Sequence, residues 1–364
     1  MKKFFIYLII TIFTLITIFF NSCQKETFVR NVSLNEISFD KSILSLEIGN
    51  TETLIIVIEP DNITNKKTIW TSSDVAVATV SDNGTVTAVS KGNATITVTV
   101  ISEDITKTAN CRIFVSPPGS LHIVQWCDPQ LGWYYVDYQT NIAQSEKAVQ
   151  LINEIAPDVL LIAGDMVHYP DKDKHINKIL EIISHVNVPI LFTPGNHDLP
   201  NPVTIDGLQR YRYFFGDDLQ TMESKGYSII SANSQVLYYP EEVPSEEYNQ
   251  HYTKVNATLK NAKSKNQPII VMTHIPPIDI PLVSYREEIF KLFIENGTFL
   301  WLAGHWHTPY QRKYDYPFGS IDILIGESTS VNEGNNPLSL GIRLLTVYPD
   351  NSFDWEFIPL YSIL

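Results

Sequence analysis

The sequence predicts a β-sandwich domain followed by an α/β domain. In the first third of the chain, short stretches alternate apolar and polar side chains and are separated by turn residues. After Gly119, apolar strands alternate with helical stripes, and polar side chains follow directly after several of those strands. The length of 364 residues allows two domains of ordinary size, or three.

The composition excludes several classes of protein. Hydrophobic residues make up 44% of the chain, which is enough for packed cores and excludes a disordered or collagen-like chain. The formal charge of −14 repels phosphate backbones, so we expect no nucleic-acid scaffold as a partner. Three cysteines, Cys23, Cys111 and Cys127, cannot form a disulfide framework. Stability is therefore expected from packing, from metal ions or from both.

Residues 1–23 predict an export signal. Lys2 and Lys3 precede an apolar run of 17 residues, 4–20, which is long for a signal peptide and short for a membrane span. A small residue then precedes Cys23, which resembles a bacterial lipoprotein signal and implies lipidation of Cys23. The alternative is an uncleaved membrane anchor with an incidental cysteine. Both predict a protein of the bacterial cell envelope, tethered to the membrane and facing the periplasm or the exterior.

Residues 30–116 predict an all-β domain. Residues 44–48 and 95–100 alternate apolar and polar side chains at period two, and turn signals such as Asp82-Asn83-Gly84 separate the strands. Residues 70–89 resemble the bacterial Ig-like domain of group 2, which implies a sandwich that serves as a spacer or adhesive module. Residues 117–119 form the predicted linker, because two prolines remove backbone donors and stop strand pairing.

Residues 120–364 predict a layered α/β domain with a β-rich carboxyl-terminal half. The predicted strands cover 121–126, 159–163, 189–193, 228–232, 268–273 and 298–303, and the predicted helices lie around 143–155, 176–183 and 287–295. The tail is predicted to contain strands only, at 321–325, 342–348 and 353–358. In such folds, polar residues just after the carboxyl ends of strands gather at one edge of the sheet.

Five strand ends carry side chains that suit metal binding: Asp128, Asp165, Asn196 with His197, His274, and His305 with His307. Oxygen and imidazole ligands together favour manganese, iron or zinc over magnesium or calcium. A carboxylate such as Asp165 can bridge two ions about 4 Å apart, as in two-metal hydrolases. The sequence therefore predicts two divalent metal ions that bind a phosphate group, with a histidine as acid for the leaving oxygen.

The series D…GD…GNHD…H…GHxH resembles the calcineurin-like metallophosphoesterases across residues 120–310. Asp128-Pro129-Gln130 is most similar to the branch of the human calcineurin-like phosphoesterase domain-containing protein 1, which also has D-P-Q where most relatives have D-x-H. The resemblance implies a four-layer α/β sandwich. It also implies a hydrolase that cleaves phosphoester bonds through attack by metal-activated hydroxide.

The same resemblance implies two metal sites that share one carboxylate. One ion would be held by Asp128, Asp165 and His307, and the other by Asp165, Asn196, His274 and His305. His197 would contact the phosphoryl group and protonate the leaving group, with Asp198 orienting it. Gln130 stands where relatives usually have a histidine ligand. Because an amide oxygen is a weaker ligand than imidazole, we expect this ion to bind loosely or to be a harder metal.

The remaining polar residues have plainer interpretations. His122, His175, His185 and His251 are expected to be structural or solvated, and Cys127 to be a packed thiol. His168 either lines the pocket behind the ligands or is an ordinary loop histidine. Several residues near the motifs either shape substrate choice or simply pack: Trp133, Tyr134, Tyr135, Asn233, Trp306 and Tyr310.

The functional hypothesis is an exported, membrane-tethered phosphomonoesterase that acts on a phosphorylated small molecule, glycan or phosphoprotein. One alternative is a phosphodiesterase acting on nucleotides or on lipid or cell-wall phosphodiesters. Another is a non-catalytic, adhesin-like surface lipoprotein with a decayed phosphoesterase domain, which Gln130 and the Ig-like segment would favour.

Overall fold

The computed structural model describes residues 33–63, 65–330 and 340–361. The predicted signal segment and Cys23 lie outside the described residues. The amino-terminal part consists of strands: β1 Glu36–Phe39, β2 Ile43–Glu47, β3 Thr51–Thr53, β4 Ile56–Glu59, β5 Lys67–Ser72, β6 Ala78–Val80, β7 Thr85–Ala88, β8 Gly92–Ser102 and β9 Ile105–Ser116. They form sheets of order β2-β9-β8-β5, β3-β7-β6 and β1-β4.

The alternation read from the sequence is confirmed in this β domain. Ile96, Val98 and Val100 of β8 are fully buried, while the threonines between them are partly exposed. Cys111 lies in β9, buried in the same core, where burial raises the pKa of its thiol to about 12. Strand β9 ends at Ser116, directly before Pro117 and Pro118.

The following part alternates strands and helices. Its strands are β10 Leu121–Trp126, β11 Val159–Ile162, β12 Ile190–Phe192, β13 Leu219–Ser224, β14 Tyr227–Ala232, β15 Ile269–Met272, β16 Thr298–Ala303, β17 Tyr310–Tyr316, β18 Gly319–Ile325, β19 Gly341–Val347 and β20 Phe353–Pro359. Its helices are α1 Tyr138–Ile155, α2 Asp173–Ile183, α3 Ile205–Phe215, α4 Ser234–Tyr238, α5 Ser245–Ser264 and α6 Val283–Glu295, with a 3₁₀ turn at Pro277–Asp279. Each strand and helix predicted for this part is confirmed, whereas α3, α4, α5, β13 and β17 were not predicted.

Two sheets stack face to face in this domain. One has the order β12-β11-β10-β19-β20 and the other β13-β14-β15-β16-β18-β17. Apolar side chains from both sheets share one core, in which Ile123 and Leu161 meet Ile270 and Leu302. Helices α1, α2 and α3 cover the outer face of the first sheet, and α5 and α6 cover that of the second. The result is the four-layer α/β sandwich expected from the sequence.

Parallel strands in both sheets direct their carboxyl ends to one edge. Strands β10, β11 and β12 run parallel in the first sheet, and β14, β15, β16 and β18 run parallel in the second. Because the sheets are stacked, loops from both sheets can reach the same point at that edge.

The amino-terminal β domain packs against the opposite edge of the sheets. Arg112 Nη2 donates to Glu356 Oε1 at 2.6 Å, and Lys91 Nζ lies 2.9 Å from Asp354 Oδ2. Ser42 donates its backbone N–H and its hydroxyl to Glu154 Oε2 at 2.8 and 2.6 Å. These ion pairs and hydrogen bonds join the two domains near the amino-terminal end of β10.

A buried carboxylate, Asp218, holds α3 and α5 together. Its oxygens accept hydrogen bonds from Arg212 Nε at 2.8 Å and Asn233 Nδ2 at 3.0 Å, and His251 Nδ1 lies at 3.7 Å. Burial by itself raises the pKa of Asp218, but His251 and the bonds from Arg212 and Asn233 outweigh it and lower the pKa to about 2. The ionised form is therefore part of the folded structure.

We expect Asp218→Asn to lower the free energy of unfolding by about 3 kcal/mol at neutral pH, because Arg212 loses a buried partner but keeps Glu247. A carboxyl pKa lowered by folding contributes stability above about pH 4 and loses it as the pH falls towards 2. Urea unfolding at several pH values should thus show a shallower decline below pH 4 in the variant. The exposed neighbour Asp217, replaced by asparagine, should change stability by under about 1 kcal/mol. Equal effects of the two variants would contradict this role of Asp218.

Candidate metal centre

The predicted ligands lie together at the carboxyl edge of the stacked sheets. One donor atom each of Asp128, Asp165 and His274 lies within 4.8 Å of the others, and all three residues are buried. Asp128 follows β10, Asp165 follows β11 and His274 follows β15, so both sheets contribute. The strand-end pattern in the sequence therefore corresponds to one cluster in space.

The backbone at this cluster is bent into an unusual conformation. Ten non-glycine residues in the described part of the chain have positive φ. Half of them are predicted ligands, namely Asp128, Gln130, Asp165, His305 and His307. Left-handed backbone is uncommon for residues other than glycine and persists where the surrounding structure enforces it. Its concentration here indicates that the loops are shaped to direct side chains towards one point.

Two glycines leave room for the carboxylates. A Cβ on Gly195 would lie 2.0 Å from Oδ1 of Asp165, and one on Gly304 would lie 2.7 Å from Oδ2 of Asp128. No side chain larger than hydrogen fits at either place without moving one of these carboxylates. This packing explains the glycine in each of the G-N-H-D and G-H-W-H motifs.

His274 faces a set of acceptors that a cation would satisfy. Its Nδ1–H donates to the carbonyl of Ala163 at 2.7 Å, which turns Nε2 towards Asn196 Oδ1 at 2.9 Å and Asp165 Oδ2 at 3.4 Å. Burial lowers the pKa of His274, but the charges of Asp165 and Asp128 outweigh it and raise the pKa to about 10. A metal ion binds the neutral ring in place of the proton on Nε2. In that form the lone pair of His274 Nε2 faces those of Asn196 Oδ1 and Asp165 Oδ2, which is a typical set of ligand atoms for a divalent ion.

The side chain of Gln130 is a second buried group that indicates a cation at this place. Its Nε2 donates to Asp165 Oδ2 at 3.1 Å, while its Oε1 is buried and has no hydrogen-bond partner among the described residues. A buried carbonyl oxygen without a donor is costly. A metal ion would satisfy it, so the residues present fit a metal.

Asp128 and the two histidines after β16 form the other side of the cluster. Oδ1 of Asp128 lies 3.4 Å from Nε2 of His307, and Oδ2 accepts the backbone N–H of His305 at 3.2 Å. Burial and the nearby charge of His274 lower the pKa of His305 to about 4. Its ring is therefore neutral at pH 7, the form that binds metals.

His197 lies beside the cluster with one ring nitrogen fixed. Its backbone N–H donates to Asp165 Oδ1 at 2.8 Å, and its Nδ1–H donates to the carbonyl of His168 at 3.1 Å. Nε2 is then the nitrogen that can exchange a proton with a substrate. The ring of His168 also stacks on that of His197, with centroids 4.4 Å apart, so His168 lines the site.

Asp198 differs from the role expected of it. Its oxygens accept the backbone N–H groups of Gly195 at 2.8 Å and Val167 at 3.2 Å, and the contact with the His197 ring is made by the carbonyl of His168 instead. Burial and the charge of Asp165 raise the pKa of Asp198 to about 7. Asp198 therefore joins the loops after β11 and β12 and positions His197 through the backbone.

Two residues that support the cluster were not predicted. The hydroxyls of Ser328 and Ser330 donate to the backbone carbonyl of Asp128 at 2.8 and 3.2 Å. They follow β18, a sixth strand that ends at the same edge, so the strand-end pattern could have indicated them. Cys127 is buried, and burial together with Asp128 raises the pKa of its thiol well above the usual range, which agrees with a packed thiol.

The histidines expected to be structural or solvated lie outside the cluster. His122 Nε2 lies 3.0 Å from the Ser116 hydroxyl at the domain boundary. His185 is exposed and bonds the carbonyl of Glu181. His175 packs beside Tyr138, and His251 is buried in α5 next to Asp218.

Comparison with known proteins agrees with both parts of the fold. Residues 34–111 match the family model of the bacterial Ig-like domain (group 2), and residues 121–309 match that of the calcineurin-like phosphoesterases. The rat serine/threonine-protein phosphatase CPPED1 is 22% identical over 259 residues, covering 63% of this chain and 81% of that protein. The human CPPED1 is 24% identical over 260 residues, with coverages of 63% and 81%.

Among solved structures, a purple acid phosphatase (PPD1) from yellow lupin seeds is 12% identical, with a TM-score of 0.49. The alignment covers 86% of this chain and 66% of the lupin chain. The match at 121–309 spans more than half of the chain. The protein therefore belongs to the calcineurin-like phosphoesterase family and is a hydrolase that acts on phosphoester bonds.

Proposed function

We propose that this protein is an exported, membrane-tethered phosphomonoesterase that requires two divalent metal ions. The position of Asp165 carries the proposal. Its Oδ2 contacts a residue of each predicted ligand group, at 3.1 Å from Gln130 Nε2 and 3.4 Å from His274 Nε2. A carboxylate in that place suits a bridge between two ions. The name of the CPPED1 relatives, serine/threonine-protein phosphatase, supports a monoester as substrate.

The residues divide into two ligand groups that share Asp165. Asp128, Gln130 and His307 would complete one group, and Asn196, His274 and His305 the other. Bound divalent cations supply Lewis-acid stabilisation of phosphoryl charge and lower the pKa of water, so that hydroxide can act as the nucleophile.

His197 holds the proton that the leaving group needs. Because Nδ1–H is fixed on the carbonyl of His168, the imidazolium presents its second proton at Nε2. Transfer of that proton to the ester oxygen allows the alcohol to leave without developing an alkoxide charge. The hydrogen bond from the backbone of His197 to Asp165 keeps the ring at a fixed distance from the ligands.

Hydrolysis of two model esters tests the proposed reaction. The full protein, stripped with chelator and then supplied with Mn²⁺, should hydrolyse p-nitrophenyl phosphate and act poorly on bis-p-nitrophenyl phosphate. A preference for the diester would replace the monoesterase by a phosphodiesterase. Bound metal without turnover of either ester would contradict the proposed activity, and the absence of metal binding would favour the non-catalytic adhesin.

The membrane tether rests on the sequence of residues 1–23. In the described part of the chain, no helix is long and apolar enough to cross a membrane. We propose lipidation at Cys23, with retention in the cell envelope. Palmitate labelling of the wild-type protein that disappears in Cys23→Ala is expected. Unchanged labelling in the variant would exclude the lipid anchor, and membrane retention without any labelling would support the uncleaved helix.

Removal of the Gln130 amide should weaken one metal site selectively. We expect Gln130→Ala to lower the affinity for one of two Mn²⁺ ions by about tenfold or more, because its buried Oε1 no longer contributes a ligand. Titration calorimetry and metal analysis after dialysis measure the affinities and the stoichiometry. Gln220→Ala, which removes an amide that bonds Phe192 N–H away from the cluster, is the matched control. Two unchanged affinities in Gln130→Ala would show that the amide is no ligand.

A further inference from the structure

Exposed aromatic side chains surround one side of His197. We name Trp133, Tyr134, Tyr135 and Tyr169 the aromatic wall. Tyr135 is 76% exposed, Tyr134 58% and Tyr169 40%. Exposed rings grouped at one place are uncommon on a monomer's surface and often mark a binding site. Their position beside the residue proposed to protonate the leaving group makes the substrate the occupant to consider.

The aromatic wall is continuous with His197. The His168 ring stacks on His197 with centroids 4.4 Å apart and meets Trp133 at 4.6 Å. Trp133 lies 4.9 Å from Tyr134, which lies 4.1 Å from Tyr135. A series of rings therefore leads from the reacting group to solvent.

Hydrogen bonds fix the aromatic wall relative to the metal ligands. The backbone N–H of Trp133 donates to the carbonyl of Gln130 at 3.0 Å, and the backbone N–H of Gly132 donates to Asn141 Oδ1 at 2.7 Å. The side chain of Asp137 then caps α1 by accepting N–H groups of Gln139 and Thr140, both at 3.0 Å. The segment between Gln130 and α1 is thus tied at both ends, and the rings need little ordering to bind a ligand.

The most exposed ring lies beyond a first layer of rings. Trp133 and Tyr134 lie between His168 and Tyr135, so a leaving group must extend past the first ring to reach Tyr135. An aryl phosphate carries its ring directly on the ester oxygen and would stop near His168. A nucleoside monophosphate places its base one sugar further from the ester oxygen and can therefore extend towards the second layer, where Tyr135 lies.

We propose that the aromatic wall binds the planar base of a nucleoside monophosphate whose phosphate reaches the metal centre. This inference rests on the proposed phosphomonoesterase function. Tyr134 and Tyr135 stack on the base, and His197 protonates the ribose oxygen as the phosphoryl group is transferred to water. The products are a nucleoside and inorganic phosphate.

Relative rates on two monoesters test the proposal. With Mn²⁺ present, the full protein should have a kcat/KM for adenosine 5′-monophosphate well above that for glycerol phosphate. Tyr134→Leu and Tyr135→Leu should each lower this ratio about tenfold, since stacking on one aromatic side chain contributes about one such factor. Tyr135→Phe keeps the ring and should retain the ratio. Tyr213→Leu, which removes an exposed tyrosine of α3, is the matched control and should leave it unchanged.

Three results would overturn the proposal: a wild-type protein without preference for the nucleotide, variants with an unchanged ratio, or an equal loss on both esters. The ring that binds the aromatic wall could also belong to an aryl phosphate, and phosphotyrosine as a third substrate distinguishes the two classes. A higher kcat/KM for phosphotyrosine than for the nucleotide would assign an aryl phosphate instead. If no ester is hydrolysed, the proposed function itself fails. Calorimetric binding of adenosine monophosphate to the wild-type and Tyr135→Leu proteins then still decides whether the aromatic wall binds a base.

Discussion

Asp165→Asn is expected to reduce metal-dependent hydrolysis of p-nitrophenyl phosphate on the order of 10³-fold. The carboxylate contacts Gln130 and His274 and also accepts the backbone N–H of His197, so the substitution changes both proposed metal sites and the position of the proposed proton donor. Loss of a single preorganised charge at a reacting centre has effects of this size. The rise in Tm that Mn²⁺ produces should vanish in the same variant, because stabilisation by a ligand requires binding to the folded state.

Asp218→Asn is the matched control for that measurement. It also removes a buried carboxylate, but one paired with Arg212 outside the metal centre. The Asp218→Asn protein should have a lower Tm than the wild type. Mn²⁺ should still raise its Tm, and its folded form should still hydrolyse p-nitrophenyl phosphate. If Asp165→Asn retained more than a tenth of the activity, Asp165 would not be a shared ligand.

Gly195→Ala is expected to lower kcat by at least about 100-fold. The added Cβ would lie 2.0 Å from Oδ1 of Asp165 and 2.3 Å from its backbone nitrogen. Overpacking of this kind costs about 1–3 kcal/mol of stability, and displacement of a reacting group by 1 Å costs about 100-fold in rate. Since the φ angle of Gly195 is not positive, the effect is steric and does not come from backbone strain. Turnover at saturating substrate, with circular dichroism as a check on folding, measures it.

Gly226→Ala provides the comparison for this substitution. Gly226 lies in the β13–β14 turn with φ +85°, and no heavy atom of the described residues beyond Gly226 and its two chain neighbours lies within 4 Å of an added Cβ. That variant should lose about 1 kcal/mol from left-handed backbone and retain kcat. Near-normal turnover in Gly195→Ala would show that the loop after β12 can move away from Asp165 without loss of function.

The sequence predicted the cluster because parallel strands bring their carboxyl ends to one edge. Asp128 and Asp165 could be placed together on this basis, since β10 and β11 are neighbours in one sheet. His274 follows β15, which lies in the other sheet. Local patterns carry no information on how two sheets stack. The strand-end pattern included His274 among the candidate ligands, and the resemblance to a family assigned it to the same ion as Asp165. The shared core, where Ile123 meets Ile270, is what brings the two edges together.

Elements with little apolar signal escaped prediction. Helix α5 is 20 residues long, but its buried residues are only His251, Val255, Leu259 and Ala262, so its polar face dominates the sequence. Strand β17 lies at a sheet edge, where half-exposed tyrosines alternate weakly with charged residues. The altered role of Asp198 could not be predicted either. Which N–H groups a buried carboxylate accepts depends on loop geometry that the order of residues does not reveal.

The contact between the two domains and the predicted metal ligands lie at opposite ends of β10. The Ig-like domain meets the sheets near the amino-terminal end of β10, whereas Asp128 follows the carboxyl-terminal end of that strand, about 20 Å away by the usual rise per residue. The ion pairs of Lys91 and Arg112 and the apolar side chains of Ile43 and Phe114 hold this arrangement. The predicted metal ligands therefore lie on the side of the α/β domain that faces away from the Ig-like domain, so a substrate can reach them without any separation of the two domains.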